Sequence, residues 1–211
     1  MKCKLFTHIF IIAILNAITL YLLYNQQFSF YNFERVFNAY IEKDSINNFY
    51  SDFRNNFALF LCIITIITTI LSCIRITITS FALHITCKLT HITVPLKTTA
   101  FISIIAEYVY PLQTIVKFIN FYFYPPETIQ ELTVIPFSLL SLFNVSTLEN
   151  WMITPLNQLN IFEILYAIVL IVGLKKSLNI KYSKGSEIVL FGYYSFYFIF
   201  LISIAFITMT L

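Results

Sequence analysis

Apolar side chains run in five long stretches along this chain, and the charged positions gather in the short segments between them. A helix needs roughly 20 consecutive apolar residues to cross a hydrocarbon core about 30 Å thick. The first stretch, residues 5–24, reads "LFTHIFIIAILNAITLYLLY". The second, residues 57–80, lies in "FALFLCIITIITTILSCIRITITSFALHI", which is longer than one crossing and predicts a helix that emerges into the cytoplasm near Arg75. Its isoleucines and threonines would suit a strand in water, but in lipid only helices and closed barrels satisfy every backbone group. The third, residues 98–118, contains "FISIIAEYVYPLQTIVKF", with Glu107 near its middle and Pro111 one turn later. Residues 159–174 and 188–211 supply the fourth and fifth. A shorter run within 132–145, "LTVIPFSLLSLF", has the length of a re-entrant or interfacial segment.

Composition agrees with that pattern. Hydrophobic residues make up 59% of the 211 and charged residues 11%, where a soluble domain carries about a quarter charged residues. The expected fold class is therefore all-α, a polytopic membrane helix bundle with about five transmembrane helices, forming a single integral membrane domain over residues 1–211. A cleavable signal peptide would have an apolar region of about 7–15 residues and a small-residue cleavage site. The first stretch is longer and no A-x-A pattern follows, so it reads as an uncleaved anchor.

Charge sets the orientation. Lys and Arg accumulate in short cytoplasmic loops, and with the N-terminus inside and the C-terminus outside that side holds Lys2, Lys4, Arg75, Lys88, Lys97, Lys175, Lys176, Lys181 and Lys184. Arg35, Lys43, Arg54 and Lys117 remain outside. If 132–145 also crossed, the basic hinge Lys175, Lys176, Lys181 and Lys184 would be outside and the bias would break. The four cysteines fall in spans or on the cytoplasmic side, which disfavours disulfides.

The loop 25–56 is aromatic and mildly charged. Phe33, Val36, Phe37, Tyr40 and Ile41 share one helical face, and Phe49, Tyr50, Phe53 and Phe57 another, with Asp44 or Ser45 as the N-cap between them. Such a pair would lie on the outer membrane surface with its rings at the headgroups. Partner docking is the alternative.

The C-terminal half resembles a known family. An Asn-Ile-Phe start, an apolar span, a Gly-Leu end, a short basic hinge and a Ser-x-x-x-apolar restart, here "LNIFEILYAIVLIVGL" and then "KKSLNIKYSKGSEIVL", is similar to the C-terminal three-span region of Yip-type (Ypt-interacting) membrane proteins. A weaker likeness extends back through "FALHITCKLTHITVPLKTTAFISIIAEYVYPL". The resemblance implies five spans, a cytoplasmic N-terminus and a non-enzymatic protein acting through partners or on membrane organisation. Two departures limit it. Family members often carry a tryptophan inside the fourth span, where this chain has Glu163, Ile164 and Leu165, and the soluble N-terminal region is reduced to a few residues.

Candidate chemistry is sparse. Glu107 lies inside a span, where an ionisable group is by default a functional hypothesis; it would either relay protons or hold a cation, or bond a Thr or Tyr of a neighbouring helix. Thr65, Thr68, Thr69, Ser72, Arg75 and Thr79 recur at three- and four-residue steps and form one helical stripe. Such hydroxyls line helix contacts in membranes, with an ion path as the alternative, and Arg75 is expected to snorkel towards the cytoplasmic surface. His84, Cys87 and His91 form an H-x-x-C-x-x-x-H array along one helix face, short of the four ligands of a structural zinc site. No nucleophile elbow, Walker loop, H-E-x-x-H pair or dinucleotide turn occurs. No catalytic residue, cofactor or metal site is expected, nor nucleic-acid binding, since the net charge of +3 follows from topology.

The expected protein is thus an integral membrane protein, of the inner membrane if bacterial. It contacts lipids, through the lysine hinge among others, and other membrane proteins or itself. It acts in membrane organisation or as an adaptor. The alternative is a small transporter or channel subunit using Glu107 and the Thr/Ser stripe.

Overall fold

The computed structural model describes residues 2–27 and 50–210. Residues 50–55 are helical, and the remaining helices are α1 Lys2–Gln27, α2 Phe57–Leu89, α3 Leu96–Glu107, α4 Val109–Phe123, α5 Ile129–Thr133, α6 Asn150–Gln158, α7 Ile161–Leu178, α8 Tyr182–Val189 and α9 Ser195–Thr210. A π-helical turn, Leu190–Tyr194, joins α8 to α9. Four stretches, Leu5–Gln26, Phe57–Leu89, Leu96–Phe123 and Tyr182–Thr210, are long and apolar enough to cross a membrane. The fold is all-α, and among the described residues the single bridge between extended segments joins Ser138 and Asn160.

Side-chain pairs give the direction of each pass. Tyr21 of α1 meets Phe57 at the start of α2, while Ile12 shares a core with Ile76, so these helices are antiparallel. Arg75 meets Glu107 and Ser80 meets Thr99, which makes α2 and α3 an antiparallel hairpin. Tyr110 reaches Glu163, whereas Gly173 abuts Ile102, so α7 runs against α3–α4. Lys175 lies over Tyr182, and Tyr193 reaches Glu163, so α8–α9 run against α7. The five segments α1, α2, α3–α4, α7 and α8–α9 therefore alternate in direction, and α7, which holds the expected span 159–174, is not among the four long and apolar enough to cross a membrane. The ends of α2 and α7 and the starts of α1, α3 and α8 share one end of the bundle. That end holds Lys88, Lys97 and the four hinge lysines, and the opposite end holds Asp52, Glu127, Glu131 and Glu149.

The third pass breaks at Tyr108 instead of running unbroken through 98–118. Pro111 has no N–H to offer the carbonyl of Glu107, and its ring crowds that carbonyl, so the helix is interrupted there. The break leaves Glu107 as the last residue of α3. The hinge also differs from the reading of 159–174 and 188–211 as the apolar passes. Helix α7 continues through Lys175 and Lys176 and stops at Asn179, a left-handed residue with φ 53°, and α8 resumes at Tyr182. Asparagine tolerates that conformation better than most residues. Two of the four lysines thus sit in the last turn of α7, where cations suit the negative end of the helix dipole.

Helix α2 runs to Leu89, past the expected end at 80, and closes with a Schellman motif. The N–H of Ile92 bonds the Cys87 carbonyl at 2.8 Å and that of His91 bonds the Lys88 carbonyl at 3.1 Å, with His91 left-handed at φ 58°. His91 is therefore outside the helix, and the H-x-x-C-x-x-x-H array does not lie along one face. Among the described residues no three His, Cys, Asp or Glu side chains group as a metal site.

Helix α7 starts deep in the bundle. From Tyr110, level with Glu163, α4 continues for about 20 Å, and from Tyr193 the last helix rises for about 25 Å, at 1.5 Å per residue. The space over the start of α7 is filled by α5, two 3₁₀ turns (Leu139–Leu142 and Val145–Thr147) and α6. Lys117 on α4 donates to the Leu132 carbonyl at 2.7 Å, and the Tyr197 hydroxyl on α9 donates to the Gln158 carbonyl at 2.8 Å. Residues 132–145 contain no crossing helix and belong to this plug. Of the proposed outer loop, residues 28–49 lie outside the described residues; Phe53 packs its ring against Phe57 and Phe60.

Candidate functional site

The largest apolar cluster lines α7, whose residues Phe162, Tyr166, Ala167, Leu170 and Leu174 form one buried stripe at helical spacing. Within this apolar surrounding lies a polar cluster drawn from all the passes except α1. Glu107, fully buried, accepts from Arg75 in a two-pronged ion pair: Nε lies 3.1 Å from both carboxylate oxygens, and Nη2 also bonds Oε1. The guanidinium carbon of Arg75 sits 3.3 Å from the centre of the Tyr110 ring, where a cation meets the negative face of the π system. The Tyr110 hydroxyl donates to Oε2 of Glu163 at 3.1 Å, and the Tyr193 hydroxyl donates to Oε1 of the same carboxyl. Tyr166, on the next turn of α7, donates to Thr79 at 3.3 Å and lies between the rings of Tyr110 and Tyr193, 5.4 and 5.2 Å away.

Local structure explains each position. Asn160 caps α7 by accepting from the Glu163 N–H at 3.0 Å, which fixes Glu163 in the first turn. In a capping box its side chain would turn back to the cap; here it meets the two tyrosines. The break at Tyr108 places Glu107 and Tyr110 on successive half-helices. Tyr193 is presented by the π turn, and Gly192 beside it lets that turn approach α2: a Cβ there would fall 2.7 Å from Thr86 Oγ1 and 3.3 Å from the Ala82 carbonyl.

Two expectations are corrected by this geometry. Arg75 does not snorkel to the cytoplasmic end; its side chain is 34% exposed and its charged head turns inward to Glu107, because an opposite charge within reach in an apolar interior outweighs the distance to water. The partner of Glu107 is accordingly an arginine, not a Thr or Tyr. The hydroxyl stripe divides. Thr68 and Thr69 donate to the Thr65 carbonyl of their own helix at 3.0 and 2.7 Å, whereas Ser72 and Thr79 are buried and Thr79 takes part in the cluster. The hinge lysines stand apart from this site: Lys175 covers Tyr182 and Lys184 pairs with Glu187 at 2.9 Å. Glu163, Tyr110 and Tyr193 escaped the sequence reading. Glu163 stands within the 159–174 stretch, and Tyr110 and Tyr193 lie inside the 98–118 and 188–211 stretches, where an uncharged tyrosine does not stand out from its apolar neighbours.

Scans against models of known families, the curated proteins and the solved structures gave no match to this chain.

Proposed function

We propose that the chain is a five-span, non-enzymatic integral membrane protein, with the start of α1 in the cytoplasm, that acts as an adaptor or organising subunit for other membrane proteins in the manner of Yip-type proteins. In a bacterium its membrane is the inner one. The observation that carries this reading is the division of α2: all its buried residues lie from Ser72 onward, while Leu59, Ile63, Ile66, Ile67, Ile70 and Leu71 are exposed. An apolar helix face with no partner among the described residues contacts lipid or another protein's helices. The alternating passes and the basic end of the bundle support the orientation. The lysine hinge there meets anionic headgroups.

Site-specific photocrosslinkers at Ile63, Ile67 and Ile70 test the reading in cells. The expected result is one discrete adduct at these positions, of a partner membrane protein or of twice the chain mass, and none at the buried Ile102. Lipid adducts alone would refute the adaptor role. The orientation is tested separately: Lys181→Cys should resist an impermeant outside reagent that labels Asp52→Cys.

A second reading, a small transporter or channel subunit, is favoured by one observation. The helix break at Tyr108 and the π turn at Tyr193 both meet at the buried charges, and interrupted helices border the ion and substrate sites of transporters. Ion flux from the purified protein in liposomes, lost in Glu107→Gln without a fall in melting temperature, would establish it.

A further inference from the structure

We infer that Glu163 is a proton-binding site, holding one exchangeable proton at the junction of α4, α7 and the π turn. The inference rests on a charge count within a closed cluster and does not depend on the adaptor reading. Two buried carboxyl groups, Glu107 and Glu163, share one part-buried guanidinium, that of Arg75. Glu107 has the guanidinium of Arg75 on both of its oxygens. Glu163, 4% exposed, has instead the hydroxyls of Tyr110 and Tyr193, which are neutral.

The groups facing Glu163 can be followed element by element. Helix α4 contributes Tyr110, and beyond its ring lies Arg75 of α2, already shared with Glu107 of α3. Its own helix contributes Tyr166, and the last pass contributes Tyr193 and, farther off, Tyr194 and Tyr197. Among the described residues, every titratable neighbour apart from the Arg75–Glu107 pair is therefore a tyrosine, neutral at physiological pH. An ionised Glu163 would leave the cluster with one uncompensated negative charge in an apolar interior, the arrangement that burial penalises most.

A single proton removes that charge and keeps the contacts. Taken from water onto Oε1, it makes the carboxyl O–H a donor to the Tyr193 oxygen, whose own hydrogen turns away, while Tyr110 continues to donate to Oε2. Loss of the proton reverses these steps. The proton thus links the start of α7 to the π turn from which α9 rises.

The test is infrared difference spectroscopy on the full chain in nanodiscs between about pH 5 and about pH 9, together with folding equilibria over the same range. The wild type should show a protonated-carboxyl C=O stretch that Glu163→Gln removes and Glu107→Gln retains. The folded state binds a proton that the unfolded chain has released, so stability should fall as pH rises, by up to tenfold in the folding constant per pH unit, and Glu163→Gln should flatten that slope. If Glu163→Gln fails to fold, Tyr193→Phe serves: it removes one partner and should shift the band without abolishing it. A band that vanishes in Glu107→Gln instead, or is absent from the wild type, overturns the inference. So does stabilisation of the wild type by sodium or potassium at fixed pH, which would place a metal cation where the proton is assigned.

Discussion

The two halves of α2 share a background of isoleucine and threonine but differ in what they bury. Residues 57–71 and 72–89 are both rich in isoleucine and threonine, the second adding Ser72, Arg75, Ser80, His84 and Lys88. The first half buries none of its residues, and Thr68 and Thr69 bond their own backbone; the second exposes Ile74, Ile78 and Ile85 on one face but buries Ile76, Leu83 and Cys87 on another and places Arg75 and Thr79 against other passes. What differs is the neighbour. Helix α3, the π turn with Gly192 and α7 all meet the second half, where Thr79 and Ser80 bond across to Tyr166 and Thr99 while Thr77 and Thr86 keep bonds to their own helix. In lipid a small polar side chain thus marks a contact only where another helix arrives to use it.

Five substitutions break or sharpen the contrast. Arg75→Met should have the largest effect, because it leaves Glu107 buried without its cation. A loss of about 3–5 kcal/mol is expected from the unfolding equilibrium in detergent, and a loss no larger than that of an exposed residue would mean that the ion pair is not formed. Leu83→Ala, at a fully buried position, should cost about 2–3 kcal/mol, the low end of the range for buried leucines, since the side chain is moved between protein and lipid and not into water. Its thermal midpoint should fall well below that of the matched change Ile67→Ala.

Hydroxyl removal gives a finer comparison. Thr79→Val takes the acceptor from Tyr166 and should cost about 0.6–2 kcal/mol, whereas Thr68→Val removes a bond within its own helix and should be close to neutral. Equal losses at the two positions would contradict the division of the stripe. Ile67→Ala itself should change stability by less than about 0.5 kcal/mol, and a larger loss in native membranes than in detergent would reveal a partner helix on that face.

The two buried carboxyl groups show how far a linear reading reaches. Glu107 was recognisable because it interrupts an apolar run midway, where any ionisable group attracts notice. Its counter-ion was not, since Arg75 lies 32 residues earlier and hydropathy assigns it to a membrane exit. Glu163 sits beside an N-cap asparagine, and sequence spacing makes it a helix-start residue. Only the plug of residues 124–160, which lets α7 begin far below the ends of α4 and α9, turns that start into the centre of the bundle.

By itself the sequence determined the class of fold. A chain so apolar, with charges confined to short segments, must close its backbone hydrogen bonds within helices, and the periodicity of its stripes and the clustering of its lysines follow from that local requirement. The tertiary structure decided which helix ends lie deep, which hydroxyls face a neighbour and which charges meet. Those outcomes depend on helix lengths, breaks and close approaches between passes distant in sequence: Pro111 ending α3 at Glu107, Gly192 admitting the π turn to α2, and the plug lowering α7. An ion pair or shared hydrogen is set by distances of a few ångströms, and no pattern along one chain encodes such distances.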